Sequence, residues 1–430
     1  MKEIREMKEM KRMKEIKRMK EIKRIFLSLS LFLSLFSSLS IAQSDNTNSL
    51  YTRYGYGQLA DQSFTTQRGM GGIGYGLRNS KIINPLNPAS FSAVDSMTFM
   101  LDFGIKGQAG WFEEGSNHVT KYNAGIEYLA LQFPLAKGLG MGVGFEPVSY
   151  VGYQYVEDSL QSPSKSYFTY SGKGGLNKIY ATLSYRILDR FSFGANVGYL
   201  FGDIVHSRLT SSSVSKSHTI SWNDSLRSRG LTYEIGFQYI QPIGKNEELV
   251  LGVVYTPKTK FGATIMTGEP KYDENGLVTG DPILNVSKDS VFQLPETYAV
   301  GLSYRKFNKW TVGADFQYQR WSNAKFYDKT DTLSNRTKIN LGAEYINKLY
   351  YRAGAYYSNS YVIVKGANYK EYGVSLGLGI PMVDKRSFLN LAFEYSVLDP
   401  KRKALLKEQY LKFTLSYTFN ELWFFKRKLQ

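Results

Sequence analysis

Acidic residues recur along this 430-residue chain at positions that alternation turns to one side: Asp102, Glu127, Glu146, Glu234, Asp315, Glu344 and Glu394. Arg186, Arg305, Arg352 and Lys412 join the same set. Paired carboxylates can act as acid and base in hydrolysis. A mixed acid–base set can instead grip a ligand headgroup or hold one part of a protein to another. The hydrolytic reading fails for want of a nucleophile with its base and orienting partner. The three histidines do not supply one: His118 falls in an expected outer loop, and His206 and His218 flank another. The sequence contains no Cys, which excludes disulfides and thiolate zinc sites, and three histidines are too few for a histidine-rich metal cluster. The glycine-rich stretch from Arg68 to Gly76 has the look of a phosphate-cradling loop. It lacks both the Lys-Ser/Thr pair and the strand-to-helix setting that such a loop needs. The chain is expected not to be an enzyme and to hold neither metal nor cofactor.

The elements that carry these charges read as strands. In Trp310–Tyr318 every even position is apolar or aromatic, while the odd ones are Thr, Gly, Asp and Gln. Phe191, Phe193, Ala195, Val197, Tyr199 and Phe201 share one face, as do Leu411, Phe413, Leu415, Tyr417 and Phe419 opposite Lys412, Thr414, Ser416 and Thr418. A period of two places each set on one side of a sheet. Fourteen such segments follow one another over 97–419, among them 137–152, 190–206, 229–241 and 247–266. Tight connections such as Leu188-Asp189-Arg190 and Lys306-Phe307-Asn308 alternate with long polar ones at 153–176, 207–228 and 267–295. That alternation is the signature of an up-and-down membrane barrel with tight periplasmic turns and long outer loops. An even strand number closes it and puts both termini in the periplasm. The fold class is therefore all-β: a 14-stranded antiparallel transmembrane β-barrel. Charges facing lipid would cost about 2–4 kcal/mol each for Arg or Lys near the midplane, so the charged set is expected in the lumen.

The rest of the chain fits export. Residues 1–42 read as a signal peptide: Lys20, Lys23 and Arg24 precede an apolar run to Leu39, and Ser40-Ile41-Ala42 offers a cleavage site. The six-residue repeat in Met13–Arg24 upstream reads as an N-terminal extension from a start codon placed too early. Without residues 1–42 the net charge falls from +17 to +11. The basic residues are spread out rather than clustered, so lipid and lipopolysaccharide are expected partners and nucleic acid is not. Residues 43–96, rich in Gly and Pro, are long enough for a lumenal plug, and 420–430 form an expected periplasmic tail.

Arg68–Gly76, the Asn87-Pro88-Ala89 box before the first strand, and Leu294-Pro295-Glu296-Thr297-Tyr298 opening the eighth together resemble the FadL/OmpP-type outer-membrane transport family, including its PorV-like Bacteroidetes members. The resemblance spans the mature chain. It implies an N-terminal hatch, with Arg68, Gly69, Gly71, Gly72, Asn87, Pro88 and Ala89 in it. It also implies passage of long-chain fatty acids or other hydrophobic compounds, with sideways exit at a kinked third strand. Here that strand carries Gly140, Gly142, Gly144 and Pro147. Pro cannot donate a ladder hydrogen bond, which makes Pro147 the expected break. A hydrophobic-compound transporter is the leading expectation. The alternative is a non-transporting barrel that serves as partner subunit in an outer-membrane secretion or barrel-assembly complex, with the Trp423–Lys428 tail among its contact surfaces.

Overall fold

The computed structural model describes residues 47–159, 166–212, 220–269, 283–287, 291–364, 366–384, 386–400 and 406–422. The expected signal peptide at 1–42, His218 and the tail beyond Leu422 lie outside the described residues.

Period-two alternation yields fourteen wall strands: β1 (Thr98–Glu114), β2 (Asn117–Ala136), β3 (Leu139–Pro147), β4 (Asn177–Ile187), β5 (Phe191–Ser212), β6 (Ile220–Gly244) and β7 (Glu247–Thr256), then β8 (Thr297–Lys306), β9 (Trp310–Gln319), β10 (Arg336–Ile346), β11 (Tyr350–Val364), β12 (Ala367–Pro381), β13 (Phe388–Asp399) and β14 (Lys407–Leu422). Each is antiparallel to the next, and β14 returns to β1 from Thr98↔Leu422 to Glu113↔Lys407. Closure joins the last strand to the first, as a barrel in lipid requires. The outward set is apolar and exposed, as at Phe193, Val197, Leu341, Leu376 and Phe393, while inward neighbours such as Ser192, Asn196 and Asn340 are buried. This exposed apolar surface is inverted relative to a soluble sandwich, whose apolar faces meet inside.

The short turns collect at one end of the barrel. Leu188 and Asp189 form a two-residue turn with φ of 51° and 55°, the left-handed pair that a tight hairpin uses. The opposite end departs from the expected loops. The segments Ser149–Ser159 and Ser166–Gly174 pair with each other, and the second pairs with β5 up to Ser166↔Ser212. β6 starts at Ile220 rather than near 229, and residues 247–266 make two strands rather than one: β7 ends before Pro257, and Thr259–Glu269 pairs with β6 and with Ile283–Ser287. β5 and β6 have 22 and 25 residues, against the roughly 9–11 that a tilted strand needs to cross a bilayer. Their excess builds a raised sheet on one side of the mouth. β14 runs on to Leu422, so residues 420–422 belong to the wall rather than to a tail.

Candidate functional site: a seated plug and a break at the third strand

Residues 47–96 run inside the barrel. The short helix α1 (Thr65–Arg68) and the 3-10 turn Pro88–Ala93 are buried, and the backbone between them lies directly on the wall. What permits this is glycine on the inward face of β3, β5, β6, β7, β8, β10, β11 and β12. A Cβ at Gly252 would fall 1.8 Å from the Tyr75 carbonyl oxygen, one at Gly342 2.1 Å from that of Met70, and one at Gly140 2.0 Å from that of Phe91. At Gly354 it would lie 2.1 Å from the Gly71 nitrogen, and at Gly194 2.3 Å from the Pro88 carbonyl carbon. These glycines stand side by side across the ladder, Gly194 opposite Gly236, Gly252 opposite Gly301, and Gly342 opposite Gly354. They form a seat on which the plug backbone rests without intervening side chains.

Wall side chains between the glycines satisfy the plug's buried backbone groups. The Gly74 and Tyr75 amides donate to Asp315 Oδ2 at 2.6 and 2.9 Å, and the Gly71 amide donates to Ser375 Oγ at 2.9 Å. Asn340, Ser303 and Arg305 donate to the carbonyls of Gly72, Gly76 and Arg78 at 2.9, 2.7 and 2.6 Å. Gly71 and Gly72 adopt φ of +67° and +81°, which a side chain would strain. In the Asn-Pro-Ala box, Asn87 caps the 3-10 turn by accepting from the Ala89 amide and donates to the Tyr75 and Phe237 carbonyls. Pro88 takes the first position of that turn, where its missing N–H costs nothing, and the Ala89 carbonyl accepts from Ser184 and Arg78. Gly69 lies against Gly377.

The charged set is largely a set of paired charges. The guanidinium of Arg68 bonds the Glu127 carboxylate, and Lys106 approaches its other oxygen at 3.3 Å. Glu127 reaches inward because it is the extra residue of a bulge: Gly104 pairs Tyr128 while Ile105 pairs Ile126. A bulge re-aims a side chain in this way. Lys178 joins Glu146 and Glu234, each at 2.9 Å; Arg352 joins Glu344 at 2.7 Å; Lys412 joins Glu394 at 2.7 Å; Arg305 joins Glu248 at 2.7 Å. Asp102 is buried among the β1 and β14 inward faces. Arg186, expected in the lumen, sits instead beside the β4–β5 turn, half exposed and 3.3 Å from Asp189, because it is nearly the last residue of its strand. Arg78 binds Gln238, Ser92 and the Ala89 carbonyl rather than a carboxylate. Lys106, Lys178 and the plug's Asp61 with Lys338 were not singled out from sequence. Lys106 shares the parity of Asp102, and Lys178 that of Thr182 and Ser184, so the same alternation could have found both. Burial alone would raise the Asp61 carboxyl, but Lys338 and Arg68 outweigh it and hold it well below the usual carboxylate range.

The third strand parts from β2 before Pro147, which itself still pairs with Asn177 of β4. The β2–β3 ladder runs from Ala136↔Leu139 to Leu129↔Phe145 and stops, while β2 continues along β1 to Asn117. After Pro147 the chain turns inward: Ser149 and Tyr150 pair with the plug's Leu59 and Gln58. Tyr150 also lies under the Lys106 ammonium, 3.7 Å from ring centre to nitrogen. Gly140, Gly142 and Gly144 lie below this break, within ladders to both β2 and β4. They serve close packing instead, Gly140 and Gly142 against Phe91 and Gly144 against Tyr180.

At the long-loop end Tyr56 of the plug is fully buried, its ring 5.7 Å from Phe261, 5.8 Å from Trp321 and 5.0 Å from Phe326. Between this apolar seal and the seated plug lies a chamber of about 230 Å³ with charged walls.

A family model described as BamG matches residues 21–430. The chain belongs to the BamG family. No curated protein sequence matches this BamG-family chain. Among solved structures, its fold is shared with the Pseudomonas putida toluene transporter TodX at 17% identity and a TM-score of 0.57, over 86% of this chain and 99% of that one. A Pseudomonas aeruginosa FadL homologue matches at 14% identity and a TM-score of 0.57, over 84% and 99%. The CymD monoaromatic hydrocarbon channel matches at 15% and 0.54, over 85% and 98%. At such identities the likeness establishes the fold, a FadL-like 14-stranded barrel.

Proposed function

We propose that this BamG-family barrel is a non-transporting partner subunit of an outer-membrane assembly or secretion complex. The observation that carries this reading is the seat: the plug rests backbone-to-backbone on wall glycines, and the Tyr56 cluster closes the other end. A conduit needs a plug that moves or is bypassed, whereas moving this one would expose a row of buried amides and the Arg68–Glu127 pair. A family named BamG rather than after a channel, and a raised sheet larger than a bilayer crossing requires, support the same reading. With the short turns in the periplasm, β14 ends there and the raised sheet stands outside the cell. The first described residues, expected at the periplasmic end, stand at the long-loop end instead, Ser49 beside Glu408 and Tyr51 beside Leu406. Isolation of the tagged full-length chain from native membranes under mild detergent tests the proposal. A stoichiometric protein partner, retained after crosslinking, is expected; recovery of the barrel alone overturns it.

A second reading rests on a different observation, the stop of the β2–β3 ladder at Phe145. Through that break a barrel could pass hydrophobic small molecules, long-chain fatty acids among them, sideways into the bilayer. Fold relatives that are named as a toluene transporter and a monoaromatic hydrocarbon channel favour it. Transfer of a labelled fatty acid or toluene by the purified chain in liposomes, lost when a disulfide ties Tyr150 to β2, would support this reading; absence of any transfer would remove it.

A further inference from the structure

Among the buried polar atoms without a hydrogen-bond partner on described residues that line the chamber, Asn340 Oδ1, Tyr369 OH and Glu146 Oε2, only the last belongs to an acidic residue. Glu146, next to the break at Pro147, lines the chamber and is 3% exposed. Its Oε1 accepts from Lys178 Nζ at 2.9 Å, and the same ammonium also serves Glu234 Oε1 at 2.9 Å. The second oxygen of Glu234 accepts from Asn196 Nδ2 at 3.0 Å. Glu146 Oε2 has no hydrogen-bond partner among the described residues. With both carboxyls ionised, one ammonium between them leaves the trio one negative charge in excess. Neighbouring cations are committed elsewhere, Arg68 to Glu127, Lys338 to Asp61 at 3.2 Å and Lys412 to Glu394 at 2.7 Å. Arg336 also lines the chamber, but on β10, seven strands round the wall from β3. A buried carboxylate oxygen without a donor is expensive, and buried charge is normally paired.

We infer that the chamber is a binding site for a small amphipathic amine, whose ammonium donates to Glu146 Oε2 while its apolar body rests on Leu59, Val148, Leu200 and Leu294. All four line the same space. The volume of about 230 Å³ falls below the roughly 300–1,000 Å³ of pockets for drug-sized ligands, so the amine is small. The excess negative charge disfavours a carboxylate head at this position, which sets the site against free fatty acids. The site goes beyond the partner-subunit reading and does not depend on it.

The test uses the full chain in lipid nanodiscs, titrated calorimetrically with octylamine, octanol and octanoate against empty nanodiscs. Saturable octylamine binding at one site per chain, at least tenfold tighter than octanoate, is expected. Glu146→Gln abolishes that preference, whereas Asn196→Ala keeps it. A photoreactive octylamine provides a reading that needs no variant: it labels the peptide spanning residues 139–147 of the natural chain. Octanoate binding as tightly as octylamine, absence of octylamine binding, or labelling confined to other peptides overturns the assignment.

Discussion

The plug meets the wall in two different ways on the two sides of the barrel. Along β7 to β12 the ladders are continuous except for one irregularity between Asn359 and Ile363 near the long-loop end of β11, and plug carbonyls and amides lie on glycine Cα atoms, with Asp315, Asn340 and Ser375 supplying the intervening hydrogen bonds. Gly140 of β3 still carries the Phe91 carbonyl, but above it the β2–β3 ladder stops, and there the join passes through side chains: Arg68 to Glu127, Lys106 to Glu127 and to the Tyr150 ring. Backbone contact through glycine tolerates no alternative position, because every displaced amide loses its partner in a dry site. Contacts through long side chains can lengthen and re-form. The barrel is thus rigid on one side and adjustable on the other, and any breathing of the wall belongs to the β3 side.

The comparison can be broken most severely at the seat. Gly252→Val places a side chain on the Tyr75 carbonyl, with no flexible neighbour to yield. Loss of the folded barrel is expected, at a cost above about 3 kcal/mol, read as disappearance of the heat-modifiable band on gels. Arg68→Met comes next. It leaves Glu127 buried with only Lys106, and removing one member of a buried pair costs about 3–5 kcal/mol; the urea midpoint of the refolded barrel should fall, and adding Glu127→Gln should restore part of the loss. On the adjustable side, Tyr150→Leu removes the ring beneath Lys106. A cation–π contact of this kind is worth about 0.5–2 kcal/mol, so a small drop in the same midpoint is expected, with increased proteolysis confined to the β2–β3 side. Pro147→Ala should change stability least, by less than about 0.5 kcal/mol, because the ladder to β2 has already ended at Phe145. A large fall would mean that Pro147 holds the break in place.

Much of this architecture was legible because alternation is a local property. Trp310–Tyr318 and Leu411–Phe419 declare their faces without knowledge of the rest, and all fourteen wall strands appear near their expected positions. The raised sheet was hidden, since Tyr167, Phe168 and Tyr170 sit among Ser and Gly and their pairing with β5 is a long-range fact. The bulge at Glu127 was hidden for the same reason, as register depends on the partner strand. Glycines at 194, 236, 252, 301, 342 and 354 were visible in the sequence, but only closure of the barrel puts them in one row facing Met70 to Ala89. Arg186 was misplaced because parity assigns a side and not a depth.

Hydrogen exchange read by mass spectrometry on the full chain in nanodiscs tests the rigid seat most directly. The account predicts that peptides covering residues 69–77 exchange as slowly as those of β10, and far more slowly than peptides covering residues 117–126 of β2. Fast exchange across residues 69–77, with β10 still protected, would show that the plug leaves its glycines and would contradict a closed barrel.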